Sequence, residues 1–240
     1  MQLALVAIIF QALRRFRGAV LFRSLRPSSS WGFPFWRLGL TVQSSRPAFG
    51  GRLTLAVRNI MSRAYQGFEY GIKDAEELLA HFDAINTKPP PPNAEVLKRA
   101  GLVMALTAWE TYVEDRLLEE MNKKLGVVSG SYIGDFVLKK LHSDLKQFHN
   151  PTSDKTKRIF QEYLGFDVTE GWTWANYEPE KARTTLNSWI GKRGDAVHRS
   201  KPINNGSPVA HLVKRDDLEK VIRFIKDLVK ATDAYVDKNL

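Results

Sequence analysis

One stretch, from Asn93 to about Leu125, restricts the folds open to this chain more than any other. Its first half, "AGLVMALTAW", is apolar on nearly every side of a helix, which is typical of a helix that neighbours bury on several sides. Such a helix needs other helices around it, so the pattern predicts a bundle with this segment at its centre and Asn93 as its N-terminal cap. Its core stripe is predicted to be Leu106, Trp109, Val113, Leu117 and Met121. Glu119 and Glu120 are expected on the outer face.

Five further segments carry a helical pattern. They lie at about 62–86, 131–147, 153–164, 179–198 and, as a closing helix, from 216 onward. Four prolines in "TKPPPP" end the first of them, because proline cannot donate a backbone hydrogen bond. Proline suits the first turn of a helix, and Pro179 begins the segment at 179–198. No segment has the alternating pattern of a strand, so the expected fold class is all-α.

Charge divides the chain at about Met61. Residues 1–60 contain nine arginines and no lysine, aspartate or glutamate, whereas residues 61–240 carry 27 basic and 26 acidic side chains. The formal net charge of +10 is therefore concentrated in the first quarter of the sequence. A folded domain normally mixes both signs on its surface, so we expect a basic, acid-free leader at 1–60 and a helical domain at 61–240.

Three interpretations of the leader remain open. Its apolar run precedes its basic run, the reverse of a secretory signal, and the run is too short to span a bilayer. The leader could be an organelle-targeting or membrane-surface segment, upstream sequence read in frame before a true start at Met61, or a structured extension. We expect no stable membrane span and a cytoplasmic protein.

The chain has no cysteine, which excludes disulfides, thiol nucleophiles and thiolate metal sites. His81, His142 and His149 lack the spacing from acids or from one another that metal binding requires. We therefore expect neither a metal nor another cofactor.

The segment "GKRGDAVHRS" places Arg193 and His198 near the end of a predicted helix. Five residues correspond to about 140° around an ideal helix, so the two side chains converge only if the helix distorts or a second copy completes the site. Gly194 would make distortion cheap, and Asp195 shares a face with His198, whose ring it could orient. The alternative is that both cations only stabilise the C-terminal end of the helix.

The ordered set of motifs over residues 62–240 resembles the HEPN superfamily, specifically the RiboL-PSP-HEPN type, an all-α bundle. The motif of that family is Arg, four to six residues, then His at the end of the penultimate helix, and "RGDAVH" matches it. The segments "ALTAWETYVEDRL" and "DDLEKVIRFIKDLVKATDAYV" resemble the family's central and closing helices. Many members have a polar residue directly after the arginine, where this chain has Gly194.

The resemblance implies a metal-independent endoribonuclease that leaves a 2′,3′-cyclic phosphate, in a defence or toxin setting with a cognate antitoxin as a candidate partner. His198 would transfer protons, Arg193 would bind the phosphate and Asp195 would support them. One histidine cannot serve both sides of a phosphate, so a homodimer is expected. Lys192 and Arg199 flank the motif and could extend a cleft for single-stranded or loop RNA.

Two other classes of function compete with the nuclease. A catalytically inactive HEPN-fold module could dimerise and bind RNA, a nucleotide or a protein, and Gly194 favours this alternative. An unrelated helical interaction or membrane-surface protein would depend on the leader. Trp172, Trp174 and Tyr177 could stack on bases but suit a core, and Glu110 could either support the site or form an ordinary salt bridge.

We expect the fragment that begins at Met61 to melt like the full chain, because residues 1–60 have neither the mixed charge nor the periodicity of the bundle. Thermal melts of both proteins, followed by circular dichroism, measure this. A melting temperature lower by more than several degrees in the fragment would show that the leader packs against the domain.

Overall fold

The computed structural model describes residues 61–88, 91–198 and 212–240, with the backbone alone at Pro92 and His198. These parts of the chain contain six α-helices and three short 3-10 helices. The α-helices are α1 (Arg63–Ile85), α2 (Glu95–Lys124), α3 (Tyr132–Lys146), α4 (Ser153–Leu164), α5 (Pro179–His198) and α6 (Arg215–Asn239). The 3-10 helices are Pro92–Ala94, Leu125–Val128 and Val168–Gly171.

The expected all-α class is confirmed, since the described residues include no strand and only one isolated bridge, between Trp174 and Tyr177. One expectation at the start of α2 is wrong. Asn93 lies inside a 3-10 turn that begins at Pro92, and Ala94 precedes α2 without a side-chain cap. The fixed φ of proline starts the winding before Asn93, so Asn93 does not have the extended backbone of a cap.

The second helix, α2, forms the centre of the bundle. Its predicted stripe is buried at all five positions, and Trp109, Val113 and Leu117 have no exposed surface. The first helix, α1, packs along α2 with buried side chains that include Phe68 and Ile72. The closing helix α6 covers α2 and α1. Within the described segments no helix combines the length and the apolar content needed to cross a bilayer.

A buried ionic cluster joins α2 to α6. Arg116 has a fully buried side chain, and its guanidinium forms salt bridges with Glu120, Asp233 and Asp237. The distance from Nε of Arg116 to Oδ1 of Asp233 is 3.1 Å. The expectation that Glu120 faces outward is wrong, because Glu120 is needed to compensate the buried charge of Arg116 four residues earlier.

Asp233 extends the same cluster to the first turn of α1. Its carboxylate accepts hydrogen bonds from Oγ of Ser62, at 2.5 Å, and from the hydroxyl of Tyr112, at 3.1 Å. Ser62 also caps α1 by accepting a hydrogen bond from the backbone N–H of Tyr65. Burial, with the Asp233 carboxylate beside the ring, raises the pKa of Tyr112 well above that of a free tyrosine.

We expect Asp233→Asn to lower the free energy of unfolding by about 3 kcal/mol, because it leaves the buried Arg116 with less negative charge around it. The matched control is Asp216→Asn on the same helix, where the side chain is 75% exposed and the loss should stay below about 1 kcal/mol. Urea denaturation measures both. Equal losses in the two variants would contradict a special role for the cluster.

Candidate functional site

Arg193 lies on α5 and is held by two other parts of the fold. Its Nη1 donates to Oδ1 of Asn150 at 2.8 Å and to Oε2 of Glu110, on α2, at 3.2 Å. The side chains of Arg193 and Glu110 are 19% and 16% exposed, so the ion pair is partly screened from water. The α5 arginine is therefore fixed against the central helix and the α3–α4 loop.

The α3–α4 loop, "FHNPT", is itself fastened from several sides. The indole Nε1 of Trp109 donates to the carbonyl of Pro151 at 3.2 Å. The Nζ of Lys155 donates to the carbonyl of His149 at 2.6 Å. Asn150 has a positive φ of 53°, a conformation that asparagine tolerates better than most residues and that often occurs at functional sites.

Two side-chain hydrogen bonds connect the start of α4 to α5. Asn187 accepts from the backbone N–H of Ser153 and donates to its hydroxyl, both at 2.9 Å. Asn187 lies six residues before Arg193 on α5. The pair therefore fixes the loop relative to the helix that carries the arginine, and the Arg193–Asn150 contact depends on this alignment.

His149 joins the site as well, which the sequence did not indicate. Its Nδ1 lies 3.6 Å from Oε1 of Glu110, so the two oxygens of one carboxylate face His149 and Arg193. The His149 side chain is 61% exposed. Sequence reasoning considered His149 only as a metal ligand, and its separation from Glu110 and Arg193 along the chain gave no signal of this contact.

The end of α5 is regular, contrary to one of the two routes expected for convergence. The helix continues through Gly194 to His198 without a break. At that regularity Arg193 and His198 stay about 140° apart around the axis. Arg99 stabilises this end, since its Nε donates to the carbonyl of Ala196 at 2.8 Å, and carbonyls in a last turn lack partners within the helix.

The other predicted site residues lie in different settings. Asp195 is half-buried on α5, three residues before His198. Lys192 is turned towards α6, where its Nζ donates to Oδ2 of Asp217 at 2.6 Å. Burial raises the pKa of Asp217, but hydrogen bonds from Lys192 and from the backbone of Lys214 outweigh it and hold that pKa below its ordinary value. Arg199 lies outside the described residues.

The aromatic cluster is mainly structural. Trp172 is fully buried, and its Nε1 donates to the hydroxyl of Thr232 at 3.0 Å, so it cannot stack on a base. Trp174 and Tyr177 are partly buried and stack on each other at 4.8 Å between ring centroids. Both pack against Phe224, which indicates a role in attaching this segment to α6.

A groove of about 380 Å³ adjoins the α3–α4 loop. Its lining includes Phe148, directly before His149, and the cations Lys155 and Arg158 of α4. The same lining includes Lys140 and two acidic side chains, Asp144 and Glu162. Lys140 pairs with both carboxylates, which leaves Lys155 and Arg158 as the cations of the lining next to the loop.

Within the described residues, no group of three or more histidine, aspartate or glutamate side chains is placed to hold a metal ion. The side chains gathered at Arg193 are instead a cation, a carboxylate, an amide and an imidazole. Such a set can bind an anion and transfer a proton without a metal.

The fold and this arrangement define a class: an all-α bundle with a fixed arginine near the end of its penultimate helix. The RiboL-PSP-HEPN family model matches residues 71–238. The chain therefore belongs to the RiboL-PSP-HEPN family, in a superfamily whose domains act as ribonucleases or as nucleotide-binding modules. Comparisons with curated proteins and with solved structures returned no match.

Proposed function

We propose that the chain is a metal-independent endoribonuclease whose site is built on Arg193 and His198. The observation that carries the proposal is the fixed position of the Arg193 guanidinium, whose Nη1 donates hydrogen bonds to Glu110 and Asn150. Nε and Nη2 form the other edge of the guanidinium, and this edge has the donor pair that a phosphate accepts in a two-point contact. A guanidinium fixed in direction suits one phosphodiester of an RNA strand.

The chemistry follows from the substrate. RNA carries its own nucleophile, the 2′-hydroxyl, which attacks the adjacent phosphorus when a neutral imidazole removes its proton. A protonated imidazole donates to the departing 5′-oxygen, and the products are a 2′,3′-cyclic phosphate and a 5′-hydroxyl. His198 supplies one imidazole, Asp195 supports it, and Arg193 neutralises the phosphoryl oxygens.

The charge distribution favours flexible RNA over extended duplexes. Residues 61–240 are close to neutral, which disfavours non-specific binding along a duplex and favours a local cleft. The groove beside the α3–α4 loop offers Lys155 and Arg158 to such a strand. Lys192 and Arg199 complete the proposed contacts, with Lys192 also engaged by Asp217. A defence or toxin setting, with an antitoxin as partner, belongs to the same proposal.

A binding module without catalysis is the second candidate. One feature favours it: Gly194 stands directly after Arg193, where many members of this family have a polar residue. A module of this kind would bind RNA, a nucleotide or a protein and would dimerise without cleaving. The two candidates differ in a single readout, the formation of new RNA ends in EDTA.

We expect His198→Ala to lower RNA cleavage by about 10² to 10⁴, because a proton-transfer group is lost. Arg193→Lys should be nearly as damaging, since lysine keeps the charge but not the two-point contact. The measurement is the initial rate on a single-stranded RNA in EDTA, with end-group analysis of the products. If both residues only terminate α5, the variants should lose about 0.3 to 1 kcal/mol of stability and any cleavage should persist.

Gly194 offers a matched pair of variants for the same assay. A Cβ added at Gly194 or at Gly191 meets no heavy atom of the described residues within 4 Å, so the two positions are matched in the room they have for a side chain. Gly194→Asn places an amide four residues before His198, on its face of the helix, and should raise cleavage, whereas Gly191→Asn should not. Inactivity of the natural protein and of Gly194→Asn on single-stranded and structured RNA would favour the binding module.

We also expect a two-fold dimer whose interface includes the end of α5, because a regular α5 separates Arg193 from His198 within one subunit. Light scattering after size exclusion, at micromolar concentration, gives the mass. A monomer that retains full cleavage activity would contradict this expectation.

A further inference from the structure

His149 is the imidazole that the fold places beside Arg193. Its Nδ1 faces Oε1 of Glu110 at 3.6 Å, while Oε2 of the same carboxylate accepts from Nη1 of Arg193. Among the described residues Arg193 donates only through Nη1, so a phosphate that reaches the edge formed by Nε and Nη2 arrives near this ring. The His149 side chain is 61% exposed, so a ligand can reach the ring.

The position of His149 does not depend on its own side chain. Its carbonyl accepts a hydrogen bond from Nζ of Lys155. The indole of Trp109, on α2, also donates a hydrogen bond to the carbonyl of Pro151 in the same loop. The neighbouring charged groups are Glu110 of α2 at the ring, Arg193 of α5 on the same carboxylate, and Lys155 of α4 at the backbone carbonyl. Removing the imidazole therefore leaves the backbone contacts of the loop in place.

The direction of the ring suits proton transfer. A carboxylate on the Nδ1 side of the ring, here at 3.6 Å, favours a hydrogen on that nitrogen, which leaves the lone pair of the neutral ring on Nε2. In the neutral ring Nε2 accepts a proton, and in the charged ring it donates one. Carboxylates orient proton-transfer histidines in this way in other enzymes.

We propose that His149 is a second proton-transfer residue of the RNA-cleavage site, and that it acts with Arg193 of its own subunit and with His198 of a second copy. This inference rests on the proposed ribonuclease function. It assigns the general acid and the general base to two different histidines. A site made from two copies of His198 would use one residue twice.

The proton balance of the step needs no further reagent. One imidazole takes the proton of the 2′-hydroxyl through Nε2 while the 2′-oxygen bonds to phosphorus. The other, protonated, gives its proton to the 5′-oxygen as the bond between phosphorus and that oxygen breaks. The two histidines exchange protonation states, and proton exchange with water restores both. Arg193 neutralises the non-bridging oxygens throughout.

This arrangement predicts two composite sites in a dimer. Each contains Arg193 and His149 from one subunit and His198 from the other. Variants of residues from opposite subunits can therefore complement each other in a mixed dimer, whereas variants of residues from the same subunit cannot. A single central site with two copies of His198 predicts no complementation of His198→Ala at all.

The test uses full-length His149→Ala, Arg193→Ala and His198→Ala, alone and as mixed dimers formed by co-expression. Each variant alone should lose about 10²-fold or more of the cleavage rate in EDTA. His149→Ala with His198→Ala should recover about one quarter of the wild-type rate, since half of the dimers are mixed and each has one intact site. Arg193→Ala with His149→Ala should recover nothing.

Several outcomes overturn the inference. It fails if His149→Ala cleaves like the wild type, if the His149→Ala and His198→Ala mixture stays inactive, or if the Arg193→Ala and His149→Ala mixture recovers. Recovery of activity by a variant also proves that its subunit folds. His142→Ala is the control, an exposed histidine on α3 whose removal should change nothing. A wild-type protein that leaves RNA intact would overturn the proposed ribonuclease function itself.

Discussion

The buried charge of Arg116 is the constraint on which the bundle depends. A guanidinium without any exposed surface requires negative partners, and α2 alone supplies only Glu120. Asp233 and Asp237 come from α6. Asp233 also accepts a hydrogen bond from the hydroxyl of Ser62 at the start of α1. The first, central and last helices of the domain therefore meet at one charge. A slip of α6 along α2 would leave Glu120 as the only one of these three carboxylates beside the buried Arg116.

The candidate site depends on the same helix, α2, but there the helix contributes a negative charge, that of Glu110. Glu110 lies six residues before Arg116 on α2 and faces α5 and the α3–α4 loop, where it contacts Arg193 and His149. Arg99, three turns earlier on α2, reaches the last turn of α5. These contacts all come from one long helix, α2, which packs in the core. A rigid element therefore positions the site and also restricts the exposed residues of the loop.

The sequence predicts the parts of the fold that depend on local pattern. The core stripe of α2, the proline start of α5 and the amphipathic α6 follow from periodicity and from backbone chemistry within each segment. Glu120 and Asn93 were misplaced because their settings depend on a buried neighbour and on preceding prolines. His149 could not be assigned to the site because its partners, Glu110 and Arg193, are brought together only by tertiary packing. Arg193 was predicted as a site residue from the resemblance of an ordered set of motifs, because its spacing from His198 alone is weak evidence.

The ion pair between Arg193 and Glu110 bears directly on the choice between a nuclease and a binding module. A carboxylate next to a phosphate-binding arginine weakens its attraction for a second anion, which is a cost for pure binding. The same carboxylate is useful in catalysis, because it fixes the guanidinium through one edge and can orient His149 through its other oxygen. A site selected only for affinity would gain from leaving Arg193 without this partner. Under the proposed ribonuclease function, the contact with Glu110 lowers the phosphate affinity of Arg193 but fixes the direction of its guanidinium, and a proton-transfer reaction on one phosphodiester requires that fixed direction.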